Sequence, residues 1–297
     1  MEICVFGAGS LGTLVGGRLA EEHSVTLVGR DPHVSAIEAG GVRISGAIEA
    51  TTYPAAATTP PEAADLAVVT VKSFDTPAAA EALADCSLDA VLSLQNGLGN
   101  EETLAAGLEA PVLAATCTYG ARRGDPGTVE CTGIGEITIG TPDGGPSSLA
   151  EEVVAAFSAA GLVTEYSTAM PEQLWLKLAV NAGINATTAL ARVPNGALLD
   201  GPADTVAAEA ARETARVARK RGVDISEEAA VRRTREVAEA TAANTSSMQQ
   251  DVRAAARTEI DAINGYVAET AEKTPVPVNE TLAALIRAWE HERGLRS

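Results

Sequence analysis

No stretch of this 297-residue chain approaches the roughly 20 consecutive apolar residues needed to cross a bilayer. The start, MEICVFGAGS, has no basic region ahead of an apolar run, so no secretory signal is expected there. Cysteine is scarce. Cys4, Cys86, Cys117 and Cys131 are scattered without a CxxC pair, which excludes a disulfide framework and fits reduced thiols in a cytoplasmic protein. The three histidines, His23, His33 and His291, have no metal-ligand spacing, so no metal site is expected. Positive charge is also short, with a net charge of −18, and this excludes a nucleic-acid binder, which needs basic surface. Residues 1–165 carry 6 basic against 22 acidic side chains, residues 166–297 carry 16 against 18. Lysine is nearly absent: only Lys72, Lys177, Lys220 and Lys273 occur. Such an acidic, lysine-poor chain suits a high-salt cytoplasm, where salt screens self-repulsion; biased genome composition would leave the same mark.

What is present divides in two. The first half alternates short apolar runs with helical patterns, the mark of a parallel sheet covered on both faces. EICVF reads as a strand, 10–21 as a helix and SVTLVG as a second strand, followed by DLAVVTVK, AVLSLQNG and PVLAATCT. Residues 122–146, rich in Gly and Thr, read as a β excursion with turns; a helix over 147–160 and the strand LVTEYS close the region. Beyond it strand signals vanish. Helical patterns run over 171–191, 200–222, 226–243, 248–272 and 279–292, separated by VPNG, DGP, RGVD and TPVPV. The expected architecture is an α/β Rossmann-type dinucleotide-binding domain over 1–167, followed by an all-α domain over 168–297.

Directly after the first strand stands Gly7-x-Gly9-x-x-Gly12, opening a helix. Gly7 permits the tight turn, Gly9 lets the backbone approach a pyrophosphate, and Gly12 allows close helix–strand packing. The helix N-terminus then offers N–H groups and a positive dipole end to phosphates. The second strand ends LVGRDP. Arg30 suits the 2′-phosphate of NADP(H), while Asp31 keeps NAD(H) open, and a solvated charge pair is the plain alternative. Lys72 ends its strand where a sheet edge meets a ligand crevice, facing the adenosine end of the cofactor or solvent. Asn96-Gly97 is a natural turn pair, and its place on the same edge equally suits a contact to nicotinamide ribose or substrate.

The stretch WLKLAVNAGINATTAL, residues 175–190, is apolar apart from a row at intervals of four. A four-residue step drifts by about 40° around a helix, so Lys177, Asn181 and Asn185 share one face. Asparagine is a mediocre helix former, so helix stability does not explain the row. Lys177 snorkelling and asparagines bridging helices is the structural alternative. Later, Ser247-x-x-Gln250 matches a capping box, a helix start that would also receive a small carboxylate. Glu259, read as helical, would by itself be taken for a solvated acid.

Together these blocks resemble the 2-dehydropantoate 2-reductase (ketopantoate reductase) family over nearly the full length. The resemblance is carried by GAGSLG, Lys72, QNGLGNEE, GARRGDPGTVECTGIGEITIG, LWLKLAVNAGINATTAL, VPNG and SSMQQDVRAAARTEIDAINGYV. It implies NADPH-dependent reduction of ketopantoate to pantoate on the route to coenzyme A, with the active site in a cleft between two domains. It further implies Lys177 as general acid and Glu259 as the carboxylate near the reacting oxygen and nicotinamide ribose. Asn181, Asn185, Asn195 and Ser247 would bind substrate, and Asn96 both cofactor and substrate. Gly7, Ala8, Gly9, Ser10, Leu11, Gly12, Arg30, Lys72 and Ala121 would contact NADP. The chemistry agrees with the row, because reducing a 2-keto acid needs a proton for the developing alkoxide. A lysine ammonium can give that proton and stabilise the oxyanion; partial burial is expected to lower its pKa toward neutrality. Neutral amides orient the substrate without burying another charge. A reductase of another 2-keto or 3-hydroxy acid, or a non-catalytic NADP(H)-binding regulator, would keep much of the same sequence. The long amphipathic helices leave room for a homodimer.

Overall fold

The computed structural model describes residues 1–296, which form two compact units. The first comprises Met1–Gln95 and Asn100–Met170. In chain order it contains β1 (Glu2–Phe6), α1 (Ser10–Leu19), β2 (Ser24–Val28), α2 (His33–Gly40), β3 (Val42–Gly46), β4 (Ala50–Thr52), β5 (Ala55–Ala57) and β6 (Ala63–Val69). Then come α3 (Thr76–Leu83), β7 (Ser87–Ser93), α4 (Asn100–Gly107), β8 (Val112–Cys117), β9 (Gly120–Arg123), β10 (Thr128–Gly133), β11 (Ile137–Gly140), α5 (Ser148–Ala159) and β12 (Thr164–Tyr166).

Eight strands make one sheet in the order β12-β11-β8-β7-β6-β1-β2-β5, parallel except where β11 runs against β8. The near-continuous apolar strands have a simple cause. Alternate residues enter two separate cores: Ile3, Val5, Leu66, Val68 and Leu92 lie in one, Cys4, Ala67, Val69 and Val91 in the other. A two-residue side-chain period makes both faces of such strands apolar. Cys4 lies wholly inside, and burial pushes its thiol up to about 12; all four cysteines are free.

A second sheet, β4-β3-β10-β9, takes β9 and β10 from the region of the expected excursion over 122–146, whose last strand, β11, joins the large sheet instead; it also holds β3 and β4, which the sequence does not announce. These strands have only five and three residues. In β3 only Val42 and Ile44 point into the core, too short a pattern to separate from a loop. His33, at the start of α2, ties the second sheet to α1. Gly127 N–H donates to its Nδ1 at 3.1 Å, so the ring proton sits on Nε2 and donates to Thr13 Oγ1 at 2.9 Å.

The second unit comprises Asn96–Gly99 and the chain from Pro171 onward. Its helices are α6 (Met170–Ala191), α7 (Pro202–Lys220), α8 (Glu227–Ala240), α9 (Ser247–Arg253), α10 (Asn264–Thr270) and α11 (Pro277–His291), with 3-10 turns at Asn195–Leu198 and Ile260–Ala262. Among the described residues no strand follows β12, and no helix is long and apolar enough to cross a membrane.

The single helix expected over 248–272 is broken. After α9 the chain turns at Ala255, with φ of 50°, and Ala256 N–H reaches back to Asp251 O at 2.9 Å. This is the six-to-one bond of a Schellman stop. Its left-handed position is usually glycine, and alanine there gives the sequence no visible stop signal. The helix start also moves by one residue: Ser246, not Ser247, caps α9, its Oγ accepting Gln249 N–H at 3.2 Å.

Alanine dominates the helical core, with Ala207, Ala208, Ala210, Ala211, Ala215 and Ala218 of α7 all buried. A polar thread runs through it. Glu213 of α7 is fully buried and accepts Val278 N–H at 2.9 Å, Asn279 N–H at 2.8 Å and Asn279 Nδ2 at 2.8 Å. It thus serves the first turn of α11, whose own N-cap, Val276, has no side chain to offer. Asn279 Oδ1 accepts Asn264 Nδ2 at 2.9 Å, which also donates to Ala182 O of α6 at 3.0 Å.

Two outcomes are expected. Asn279→Ala abandons buried partners on α7 and α10, at about 1–3 kcal/mol for each group left unpaired, so its urea midpoint drops well below that of the parent. For His33, burial first and the Arg123 charge second hold the imidazole below its ordinary value of 6.5. The unfolded chain therefore takes up this proton before the folded one, so stability is retained above pH 6.5 and falls as pH drops below it. Urea titrations at pH 7.5 and 5.5 should show a smaller acid-induced loss in His33→Gln than in the parent.

Candidate active site

In the first unit the glycine loop joins β1 to α1. Gly7 and Ala8 N–H both donate to Val28 O at 2.9 Å, which locks the turn onto β2. A Cβ on Gly12 would lie 2.2 Å from Gly7 O and 2.4 Å from Thr70 Oγ1, so no other residue fits. A Cβ on Gly9 would meet only Gly7 O, at 3.9 Å; beyond it is open space. Gly9 is the N-cap of α1 and no side chain caps the helix. The first-turn N–H groups of Ser10, Leu11 and Gly12 therefore lack intrahelical acceptors and face a site with room for phosphate oxygens. These residues fit a dinucleotide.

The other candidates of this unit gather around the same strand ends. Arg123 N–H donates to Ser10 Oγ at 3.1 Å, which brings β9, and Ala121 within it, to the start of α1. Lys72 is half-buried and precedes a 3-10 turn, Ser73–Asp75. Arg30 reaches that turn, with Nη2 3.8 Å from Asp75 Oδ2, and its side chain is 91% exposed. Such a loosely held guanidinium remains available to a ligand. Asp31 is otherwise engaged: its Oδ1 accepts Ser35 Oγ at 2.6 Å and Ser35 N–H at 3.2 Å. Those two bonds hold its carboxyl below the ordinary range.

In the second unit, α6 is one unbroken helix of 22 residues, so Lys177, Asn181 and Asn185 do share a face. Their burial deepens along it, from half-buried Lys177 and Asn181 to buried Asn185. Asn96 and Glu259, far apart in sequence, are brought together: Asn96 Nδ2 donates to Glu259 Oε2 at 3.4 Å. Glu259 is buried, at 5% exposure, so it is not the solvated acid its isolated context suggests. The approach depends on Gly97. Its φ is 84°, and a Cβ there would lie 2.5 Å from Ala262 O, the region where a strained Ala262 contact would open the turn. Leu98 N–H then donates to that same oxygen at 3.2 Å.

Asn195 and Ser247 sit at the other end of α6. Asn195 N–H donates to Asn244 O at 3.0 Å and its Nδ2 to Thr241 Oγ1 at 2.9 Å, while its buried Oδ1 meets no donor from the described chain. The Gln249 amide faces the backbone of Val193 and, with its oxygen and nitrogen assigned so that donor meets acceptor, donates to Val193 O at 3.1 Å and accepts Val193 N–H at 3.2 Å. Ser246 Oγ lies 2.7 Å from Thr188 Oγ1, which fixes the start of α9 to the C-terminal part of α6, with Ser247 next to it and exposed. Thr188, Thr241, Ser246 and Gln249, which shape this region, were missed by sequence reasoning. A serine adjacent to the chosen cap was the only available signal.

The chain is similar to known proteins along its whole length. The family described as "Ketopantoate reductase PanE/ApbA" matches residues 3–144, and "Ketopantoate reductase PanE/ApbA C terminal" matches residues 169–290. A protein of Halobacterium salinarum named 2-dehydropantoate 2-reductase is 45% identical, the match covering 98% of this chain and all of that one. One of Pyrococcus horikoshii with the same name is 39% identical over 98% of both chains. The crystal structure of a PanE/ApbA family ketopantoate reductase from Ralstonia eutropha superposes with a TM-score of 0.90 at 35% identity, covering 99% of this chain and 100% of that one. With both halves matched and relatives similar from end to end, this chain belongs to the ketopantoate reductase family.

Proposed function

We propose that this protein is an oxidoreductase that reduces 2-dehydropantoate to (R)-pantoate with NADPH, as the names of its relatives suggest. The observation that carries the reading is the row of Lys177, Asn181 and Asn185 on the unbroken α6, in a unit that also holds the Asn96–Glu259 pair. In a helix whose other positions are mainly apolar or alanine, an ammonium and two amides in register have a use in handling a polar, charged substrate.

The roles follow from chemistry. NADPH, when bound, supplies the hydride that adds to the carbonyl carbon. Lys177 Nζ donates its proton to the carbonyl oxygen as negative charge develops there, and leaves that step as the neutral amine. Asn181 and Asn185 orient the keto acid, and Asn195 offers the unmet acceptor of its Oδ1 to the substrate hydroxyl. Ser247 donates its hydroxyl to the carboxylate. Glu259, fixed by Asn96, holds the ribose and the reacting end of the substrate in register. Ser10, Leu11 and Gly12 N–H groups receive the pyrophosphate, with Gly7, Ala8 and Gly9 shaping the turn and Ala121 lining it.

NADP(H) is favoured over NAD(H) by the ends of β2 and β6. Arg30 is exposed there with only a long ion pair, and Lys72 stands beside the same turn. Asp31, the residue that would bind ribose hydroxyls, is occupied by Ser35. We place the enzyme in the cytoplasm, with a domain boundary near residue 167 and a homodimer as its assembly.

Purified protein is expected to oxidise NADPH with ketopantoate faster than with other 2-keto acids; binding without oxidation in any of them would make it a regulator. Lys177→Ala should lower kcat by roughly 10²–10⁴-fold with the KM for NADPH little changed, and normal turnover would remove the acid role. Arg30→Ala should weaken NADPH much more than NADH in fluorescence titrations, and equal losses would mean that the 2′-phosphate is read elsewhere.

A further inference from the structure

The segment that carries Glu259 has no regular structure of its own. From Ala254 to Thr258 the chain is neither helix nor strand, and Glu259 itself only begins the 3-10 turn Ile260–Ala262. Something outside the segment must therefore fix it. The last helix does so. Glu290 of α11 is fully buried; a carboxylate in that position is costly unless its oxygens are met. Its Oε1 accepts Thr258 N–H at 2.7 Å and Thr258 Oγ1 at 2.7 Å. Thr258 Oγ1 in turn accepts Ile260 N–H at 3.2 Å. Two of these bonds tie Thr258 to α11, and the third ties Ile260 to Thr258 across residue 259. On the far side, Arg296 Nε lies 3.3 Å from Glu290 Oε2 and the same guanidinium bonds Asp261. Arg287 Nε donates to Asp261 Oδ1 at 2.8 Å.

We propose that Glu290 is a positioning residue for the reaction: through Thr258 it sets where the Glu259 carboxylate stands. A leucine at position 290 would fill the helix core with less desolvation, yet leave Thr258 N–H and Oγ1 unmet and the segment free to shift. The 3-10 turn also accepts Leu98 N–H at Ala262 O, so movement of the segment carries the Asn96 loop with it. The inference rests on the role given to Glu259 above.

The test is a double-mutant cycle in steady-state kinetics on the full chain, with NADPH and ketopantoate. Thr258→Val keeps the side-chain volume and removes the hydroxyl from the clamp; Thr258→Ser restores it. Glu290→Leu removes the clamp, whereas Glu290→Gln keeps an acceptor for Thr258. Expected are kcat losses of about tenfold or more in Thr258→Val and Glu290→Leu, larger than any change in the KM for NADPH, with most turnover recovered in the Ser and Gln variants. Combined with Glu259→Gln, neither change should lower kcat much further, because residues that act through one group are not additive. Additive losses, or Thr258→Val at full kcat, would overturn the proposal. Thr258→Val keeps that cycle readable if Glu290→Leu does not fold. Full turnover in Glu259→Gln alone would overturn the role of Glu259, and the clamp with it, a result distinct from additivity in an impaired Glu259→Gln background.

Discussion

The start of α11 is closed by a carboxylate from another helix. Val276 cannot cap it, and Glu213 of α7 meets the N–H groups of Val278 and Asn279 instead. Much of the helical unit follows from that junction, since a buried helix end with unmet N–H groups would not persist. With its start fixed, α11 presents Glu290 to Thr258 and Arg287 to Asp261, and Arg296, beyond the end of the helix, pairs with Asp261 as well. The turn so held then accepts Leu98 N–H. Two buried glutamates, neither obvious in the chain, thus stand behind the place where Asn96 meets Glu259.

The first unit works by leaving groups unmet. Gly9 gives α1 no side-chain cap, and the close contact at Gly12 keeps the loop against the sheet. Helix and strand pack because nothing larger than hydrogen is present at Gly12, and the uncapped first turn of α1 is suited to a ligand. The acidity of this region sharpens the point. With 22 acidic residues against 6 basic ones over 1–165, an exposed arginine at the strand ends is a local reversal of sign in an otherwise repulsive field.

The two units also differ in how they are held together. In the central strands of the large sheet, apolar side chains alternate between two cores, and burial of hydrocarbon holds them in place. In the helical unit many contacts are made by alanines, which allow close approach but contribute little area each. Polar pairs such as Asn264–Asn279 and Thr188–Ser246 supply direction where the apolar contacts are nearly interchangeable.

The strands β1, β2, β6, β7 and β8, the glycine turn and helices α6, α7, α8 and α11 were legible in the chain, because periodicity and turn residues are local properties. So was the shared face of Lys177, Asn181 and Asn185, which needs only the pitch of a helix. The second sheet was only half legible, since strands of three to five residues carry too few alternations to register. The break after α9 was not legible at all: its left-handed residue is Ala255, where a sequence reader looks for glycine. Ser246 and Ser247 are equally good caps locally, and the folded chain separates them: Ser246 accepts Gln249 N–H and bonds Thr188 of α6. Glu259, Glu290 and Asp31 show the same division most plainly. The sequence by itself determined their charge; which are buried, and what each meets, was decided by partners distant along the chain or by the local backbone, because a carboxylate's environment belongs to the folded surroundings and not to its neighbours in sequence.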